Sequence, residues 1–274
     1  MTFYDALLAD AATESEPLVR VERSTDRAVV TLDDPDKRNV LSAALTTQLK
    51  TALEELISDR GDPGDSPHRD GSGFSAGGDL RMMDRTSQAL AAPAGTTDIW
   101  RWIRYQFGAI ARLIAHSDTA FIAALNGPAA GVGLAWALTC DIVIASERAV
   151  IVPAFGKLGL LPEVGTSWAL NRRLGYQGAF AYYVAGEHLN AERAMELGLV
   201  QEVVAHDELL NAAHHWCTRI ASLPPDAVPM TKPLLRAAAD ASWDHAIALE
   251  EFAEPQCFTT HAFQESVQSL LGRR

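Results

Sequence analysis

The sequence of 274 residues is poor in cysteine and in basic side chains. Its three cysteines, Cys140, Cys217 and Cys257, are far apart and lack the spacing of metal ligands, which argues against a disulfide framework or a zinc site. Lys and Arg number 23 against 35 Asp and Glu, for a formal net charge of −12. Since nucleic-acid binding needs clustered cations, we expect no nucleic-acid partner. A few well-placed cations could still hold the phosphate of a small ligand.

Long apolar runs are also missing. No stretch of 18 or more apolar residues occurs, and residues 1–16 are acidic rather than a basic segment followed by an apolar one. These patterns predict no membrane contact, no export signal and a cytoplasmic location. The 48% hydrophobic content suffices for a full core in one large domain or a domain with a helical appendage.

Two common catalytic patterns are absent from the sequence. None of the eight histidines forms an H-x-x-x-H pair, and the adjacent His214 and His215 would point in different directions on a helix. Ser75 and Ser167 lack a G-x-S-x-G context, so neither is a hydrolase nucleophile. We therefore expect no metal site and no serine hydrolase.

Hydrophobic periodicity predicts an α/β chain. Residues 18–21 and 28–32 form an opening hairpin, and Ser42 caps a helix that runs to about residue 58. Residues 121–125, 142–145 and 150–152 read as buried strands that alternate with helices at 133–138 and 166–173. Asn190 caps a further helix to Leu197, residues 199–204 are extended, and the rest is helical.

Residues 59–73 read DRGDPGDSPHRDGSG, at a point where an α/β core is expected to place a strand. Their Pro, Gly and Asp content favours a polar surface loop. A second hypothesis is a local frame error, because codons for residues 61–71 read one base further on can encode Val-Ile-Arg-Val-Ile-Leu-Leu-Thr-Gly-Thr. Resequencing the gene from Leu56 to Phe74 tests this, and an uninterrupted frame that matches the homologous locus would contradict it.

The first informative motif is FSAGGDL, residues 74–80. Adjacent glycines let the backbone approach a ligand and direct N–H groups at it, as an oxyanion hole requires. The alternative is an ordinary glycine turn before a helix that Asp79 caps.

The second motif is NGPAAGVGLAWALTCDIVIAS, residues 126–146. Gly131 to Gly133 open a helix, whose free N–H groups and positive dipole end favour a developing anion. A plain structural helix start is the alternative. A dinucleotide-binding fingerprint is disfavoured because Trp136 occupies its third glycine position.

Together the two motifs resemble the crotonase, or enoyl-CoA hydratase/isomerase, superfamily. The segments KLGLLPEVGTSWALNRRLG (157–175), DDPDKRNVLS (33–42) and NAERAMELGLVQEVV (190–204) resemble other landmarks of that family. The resemblance covers roughly Val19 to the end, except residues 60–71. It implies an α/β fold: a core spiral of ββα units with two roughly perpendicular sheets over residues 1–200, and a C-terminal helical region over 201–274. That region mediates trimer formation in relatives, so we expect a homotrimer or a dimer of trimers.

The resemblance also implies the site. Two backbone N–H groups, of Gly78 and Val132, would hold the thioester oxygen of an acyl-CoA, with coenzyme A as part of the substrate and no other cofactor. The segments around these donors would contact the substrate, and the early turn would lie near the CoA nucleotide. These substrate-binding candidates are Lys37, Arg38, Ser75, Ala76, Gly77, Asp79, Leu80, Gly131 and Phe155.

The acid–base residues depart from the family pattern. Typical hydratases carry glutamates where this chain has Ala135 and Phe155, so a two-glutamate hydratase is disfavoured. Glu163 matches the carboxylate that several isomerases of the family use, and apolar neighbours at Phe155, Leu160, Leu161 and Val164 would raise its pKa. A glutamate that only complements a helix dipole is the alternative.

We therefore expect double-bond isomerisation of an enoyl-CoA with Glu163 as the proton shuttle. One alternative is an atypical hydratase or lyase whose acid is Asp84 or Glu254. The other is an acyl-CoA-binding protein without catalysis. Four aromatic residues follow the first motif: Trp100, Trp102, Tyr105 and Phe107. They either line the acyl pocket or, in the interpretation that we favour, pack in the core or at a subunit interface.

Overall fold

The computed structural model describes residues 2–58, 65–67, 74–90 and 95–272, and only the backbone of residues 65–67. The strands in these ranges are β1 (Val19–Arg23), β2 (Ala28–Leu32), β3 (Asp65–Pro67), β4 (Ile122–Leu125), β5 (Pro128–Ala130), β6 (Ile142–Ser146), β7 (Val150–Val152), β8 (Leu189–Asn190) and β9 (Glu202–Val204). The helices are α1 (Phe3–Ala12), α2 (Ala43–Ser58), α3 (Leu80–Ala89), α4 (Gly95–Trp102), α5 (Gly108–His116), α6 (Gly131–Thr139), α7 (Thr166–Ala185), α8 (Ala191–Glu196), α9 (Leu209–Ala221), α10 (Ala227–Ala238), α11 (Trp243–Phe258) and α12 (His261–Leu271).

The opening hairpin and its helix are confirmed. β1 and β2 pair antiparallel, with Val19 opposite Leu32 and Arg23 opposite Ala28. The Ser42 hydroxyl accepts a hydrogen bond from the Leu45 N–H at 3.2 Å, so Ser42 caps α2 as predicted. The apolar stripe of α2 is buried against the rest of the core, as its period of three and four residues requires: Leu45, Leu49, Leu53 and Leu56.

A short strand occupies part of the polar segment. Residues 65–67 pair in parallel with β2, with Ala28 opposite Asp65, so the prediction of a surface loop is wrong for these three residues. Residues 59–64 and 68–73 lie outside the described ranges. The hypothesis of a frame error stays a prediction.

The middle of the chain is a spiral of ββα units. One unit comprises β4, β5 and α6, and the next comprises β6, β7 and α7. Each unit stacks on the next through parallel pairing of β4 with β6 and of β5 with β7. The two sheets then add β9 and β8, giving the strand orders β4-β6-β9 and β5-β7-β8. This repeated unit is the predicted architecture.

Both faces of the sheet that contains β4 and β6 are buried. Side chains that alternate along these strands point to opposite sides, so Ala123 and Val143 join the main core, whereas Ile122 and Ile144 pack with Leu209 of α9. Burial on both faces explains why the sequence of these strands is continuously apolar.

The helices match the predictions only in part. α6 begins at Gly131, as the second motif indicates. The predicted helix over 166–173 is confirmed: non-helical angles at Gly175 (φ 68°, ψ 167°) separate it from a second helical segment that extends α7 to Ala185. α1, α4 and α5 were not predicted, although three residues of α1 are buried.

The last part of the chain is helical, as predicted, but it remains connected to the core sheets. β9 pairs with β6 through Ile144 and Glu202, beyond the predicted boundary at residue 200. The position of that boundary stays a prediction. Among the helices of the described ranges, none is long and apolar enough to cross a membrane.

Candidate active site

The two glycine motifs lie against each other. The Ser75 N–H donates to the Pro128 carbonyl at 3.1 Å, and the Ala130 N–H donates back to the Ser75 carbonyl at 3.0 Å. Gly77 has φ +87°, and a Cβ added there would lie 2.9 Å from the Ala130 carbonyl oxygen. The close approach therefore needs a glycine at this position. Gly133 is equally constrained, since its Cβ would lie 2.6 Å from that of Ser75.

This junction leaves two backbone donors available. Within the described part of the chain, neither the Gly78 N–H nor the Val132 N–H has a protein acceptor. Val132 is buried in the first turn of α6, and Ala130, the residue before the helix, provides no side-chain cap. Unpaired N–H groups at a helix N-terminus favour an anion, because the helix dipole adds to their partial positive charge.

The turn after β2 supports the first glycine motif. The Ala76 N–H donates to the Arg38 carbonyl at 3.0 Å, and the Leu41 N–H donates to the Gly77 carbonyl at 2.8 Å. Lys37 and Arg38 are exposed, and the Lys37 Nζ lies 3.7 Å from the buried Asp34 carboxylate. Both cations are thus next to the motif, and their contact with a CoA nucleotide stays a prediction.

The remaining substrate-binding candidates have different environments. Ala76 and Leu80 are exposed, whereas Ser75 and Phe155 are fully buried. The Ser75 hydroxyl donates to the Asn39 carbonyl at 2.9 Å and accepts from the Gly77 N–H at 3.2 Å. Its hydrogen bonds therefore stabilise the loop. Gly131 turns the chain into α6 with φ 51°.

Asp79 caps α3. One of its carboxylate oxygens accepts hydrogen bonds from the Arg81 N–H at 2.8 Å and the Met82 N–H at 3.3 Å. This geometry matches the helix-capping alternative for the first motif. The cap begins α3 one residue after Gly78, which ties the first donor to a rigid element.

Glu163 is half-buried before α7, and burial raises the pKa of its carboxyl. Of its predicted apolar neighbours, Phe155 is buried, but Leu161 is 70% exposed and does not enclose the site within this chain. Val164, the next residue, has φ 55°. A β-branched residue in the left-handed region is a genuine outlier, and such strain persists where the surrounding structure fixes it, often at active sites.

A cavity of about 330 Å³ lies next to Glu163 in the sequence, because Val164 and Gly165, the two residues that follow it, form one wall. α5 forms another wall with the small residues Gly108, Ala111 and Ala115. Its lining is mainly apolar but includes Arg112, Arg236 and Asp240, and it reaches α6 at Leu138 and Thr139, at the opposite end of that helix from Val132.

The two family positions for catalytic glutamates are closed to solvent. Ala135 and Phe155 are both buried and apolar, so neither position supplies a carboxylate. The other carboxylates considered, Asp84 on α3 and Glu254 on α11, are exposed. Asp84 accepts a hydrogen bond from Gln88 at 2.9 Å.

The four aromatic residues divide into two pairs. Trp102 and Phe107 are buried, with ring centroids 5.9 Å apart, as expected for core packing. Trp100 and Tyr105 are exposed on the same helical stretch, and the Arg104 guanidinium lies over both rings, at 5.3 and 5.8 Å from their centroids.

Other functional groups are sparse in the described ranges. All three cysteines are free thiols, and no group of three or more metal-ligating side chains occurs there. Asn39, which the sequence did not single out, is fully buried between the early turn and the first motif. No local pattern indicates it, because its partners lie up to 35 residues away.

Two backbone N–H groups without a protein acceptor among the described residues, on adjoining glycine motifs of a ββα spiral, fit a class of enzymes that stabilise the oxyanion of an acyl group. The enoyl-CoA hydratase/isomerase family model matches residues 22–274. The chain belongs to this family, and its fold is the crotonase fold.

Individual relatives cover nearly the whole chain. It is 31% identical to a "Probable enoyl-CoA hydratase" of Rhodobacter capsulatus, over 93% of this chain and 95% of the relative. It is 30% identical to the 1,2-epoxyphenylacetyl-CoA isomerase of Escherichia coli, over 89% of this chain and 92% of the relative. Hydratases and isomerases are thus both among its relatives.

Solved structures give the same fold. An enoyl-CoA hydratase from Polaromonas matches with a TM-score of 0.83 and 25% identity, over 93% of this chain and 97% of that one. An enoyl-CoA hydratase from Mycobacterium smegmatis matches with a TM-score of 0.79 and 27% identity, over 94% and 98% of the two chains.

Proposed function

We propose that the protein binds an enoyl-CoA thioester and moves its double bond between the 3,4 and 2,3 positions. The Gly78 and Val132 N–H groups hold the thioester oxygen, and Glu163 transfers the proton. The observation that carries the proposal is where the carboxylates lie. Glu163 is half-buried and its pKa is raised, whereas the two hydratase positions hold Ala135 and Phe155.

The proposed steps balance without a further reagent. The Glu163 carboxylate removes a proton from C2 of a 3-enoyl-CoA, and the electron pair forms a dienolate whose charge rests on the thioester oxygen. The two N–H groups stabilise that charge. The protonated Glu163 then returns the proton to C4, which gives the 2-enoyl-CoA. Because burial favours the neutral acid, it assists the first step, in which the carboxylate takes up the proton.

The match to the enoyl-CoA hydratase/isomerase family supports the assignment of an acyl-CoA substrate. Coenzyme A enters only as part of the thioester, and none of the proposed steps needs a metal. Lys37 and Arg38 are proposed to lie near the CoA phosphates, since both are exposed next to the first glycine motif.

The test is a panel of 2-enoyl- and 3-enoyl-CoA thioesters, assayed with the wild type, Glu163→Gln and the control Glu192→Gln. Glu192 is exposed on α8. We expect isomerisation by the wild type and the control, and a loss of about 100- to 10,000-fold in Glu163→Gln, the range for one general acid–base group. Full activity in Glu163→Gln would overturn the role of Glu163.

Two alternatives give different results in the same panel. Hydration of 2-enoyl-CoA that survives Glu163→Gln but not Asp84→Asn or Glu254→Gln supports an atypical hydratase, although both side chains are exposed. Tight thioester binding without turnover in every variant supports a binding protein.

A further inference from the structure

Asn39 joins the turn after β2 to the first glycine motif. Its side-chain Nδ2 donates to the Leu32 carbonyl at 3.1 Å and to the Phe74 carbonyl at 2.9 Å. Its Oδ1 accepts from the Asp34 N–H at 2.9 Å. The side chain is fully buried, so each of these groups would lack a partner if the amide were removed.

The backbone near Asn39 extends this contact along the glycine motif. The Asn39 carbonyl accepts from the Ser75 hydroxyl, and the Arg38 carbonyl accepts from the Ala76 N–H. Residues Phe74, Ser75 and Ala76 are therefore each bound to residue 38 or 39. Both of those residues are left-handed, with φ 55° at Arg38 and 51° at Asn39, a conformation that asparagine tolerates better than most residues.

The last contact of this series sets the direction of the first donor. The Leu41 N–H donates to the Gly77 carbonyl at 2.8 Å. The Gly77 carbonyl and the Gly78 N–H belong to one planar trans peptide and point in opposite directions. Because Leu41 holds the carbonyl, the Gly78 N–H must point away from the turn.

We infer that Asn39 is the positioning residue of the oxyanion hole: its amide holds the turn whose backbone orients the Gly78 N–H. Asn39 is fully buried, so it acts through the backbone of Leu41 and Gly77. The inference rests on the proposed oxyanion hole, and it goes further by naming what fixes the hole's geometry.

The test compares two ligands in an Asn39→Gly variant. Glycine keeps the left-handed backbone and removes only the amide. Acetoacetyl-CoA, whose bound enolate has its own ultraviolet absorbance, reports on the oxyanion donors. Butyryl-CoA forms no stable enolate and reports on ground-state thioester binding. We expect enolate binding to weaken on the order of 100-fold, the effect of a misplacement of about 1 Å, and butyryl-CoA binding to change less than threefold.

The matched control is Asn190→Gly. The Asn190 side chain also accepts a backbone hydrogen bond, from the Arg193 N–H at 2.9 Å, but at the start of α8 and outside the proposed site. We expect wild-type binding of both ligands in this variant. A folded Asn39→Gly that keeps its enolate affinity, or loses both ligands equally, overturns the inference.

If Asn39→Gly does not fold, Ser75→Ala carries the test. This change removes the hydroxyl that links the Asn39 carbonyl to the Gly77 N–H. We expect the same selective loss of enolate binding, and wild-type enolate affinity in Ser75→Ala would overturn the inference. A wild type that binds acetoacetyl-CoA without enolate absorbance contradicts the oxyanion hole itself, so the two failures are distinguishable.

Discussion

At the scale of single residues, Gly77 permits the contact between the two glycine motifs. Gly77→Ala places a Cβ in the left-handed region and 2.9 Å from the Ala130 carbonyl oxygen. Gly198→Ala is the matched control, because Gly198 has φ +72° but nothing within 4 Å of its Cβ position. We expect Gly198→Ala to lower the free energy of unfolding by about 1–2 kcal/mol, the cost of the conformation alone. Gly77→Ala adds about 1–3 kcal/mol for the overlap.

Urea unfolding of the two variants measures this difference. Equal losses of stability would show that the segments separate without cost, and would contradict the tight junction. The enolate assay should also separate the variants, since only Gly77→Ala displaces the residue that precedes the first donor.

The raised pKa of Glu163 predicts a pH-dependent stability. The folded chain keeps the proton on this carboxyl to a higher pH than the unfolded chain does, so it binds more protons between the two pKa values. The free energy of unfolding therefore falls as pH rises through that interval. Glu163→Gln cannot ionise, and we expect a higher melting temperature than the wild type near pH 7–8, a difference that disappears below about pH 4, the usual glutamate value.

Melting curves for the wild type, Glu163→Gln and Glu192→Gln across this pH range test the prediction. A constant difference between wild type and Glu163→Gln would contradict it. If Glu163→Gln is more stable than the wild type but inactive, the Glu163 carboxyl contributes to catalysis at a cost in stability.

Residues with local signals could be predicted from the sequence, whereas those defined by distant partners could not. Asp79 and Ser42 precede their helices directly, and their caps are as expected. Asn39 and Val164 carry no such signal. The role of Asn39 depends on Phe74, and the positive φ of Val164 depends on how the chain enters α7.

At the scale of elements, α1 packs against the helices that follow the first glycine motif. Its Phe3 N–H donates to the buried Asp98 carboxylate of α4 at 2.8 Å, and Asp10 pairs with Arg85 of α3 at 2.8 Å. Tyr4 packs edge-on to Trp102, with centroids 6.3 Å apart. α1 lies before residues 22–274, the part of the chain that the family model matches.

We expect Tyr4→Ala to lower the free energy of unfolding by roughly 3 kcal/mol, as for other buried aromatic side chains. Tyr105→Ala is the control, because Tyr105 is exposed on the same helical stretch as Trp102, and its loss should cost no more than about 0.5 kcal/mol. Denaturant unfolding measures both. A Tyr4→Ala cost as small as that of Tyr105→Ala would show that α1 is not anchored.

Strands and helices with clear periodicity were predicted well, since burial imposes that periodicity. β4 and β6 are continuously apolar because both faces of their sheet are buried. The order of elements led us to expect a strand before Phe74, but residues 65–67 carry no strand pattern, and β3 forms there through pairing with β2. α1 was missed because only three of its residues are buried.

At the scale of the whole molecule, the C-terminal helices carry apolar side chains that the described part of this chain leaves exposed. α11 and α12 have no buried residues, and Trp243 and Phe252 are 74% and 84% exposed. Large exposed apolar side chains of this kind are typical of subunit interfaces. The family resemblance predicts a homotrimer or a dimer of trimers, and these helices supply a surface for it.

Size-exclusion chromatography with light scattering tests the assembly. We expect a mass of three or six chains for the wild type, and dissociation toward single chains when Trp243→Glu and Phe252→Glu are combined, because each change buries an unpaired charge in the interface. The control is Glu250→Lys, which alters the charge of the same helix at an already polar, exposed position. A monomeric wild type would contradict the predicted trimer, whereas a trimer that survives the double substitution would place its interface elsewhere on the chain.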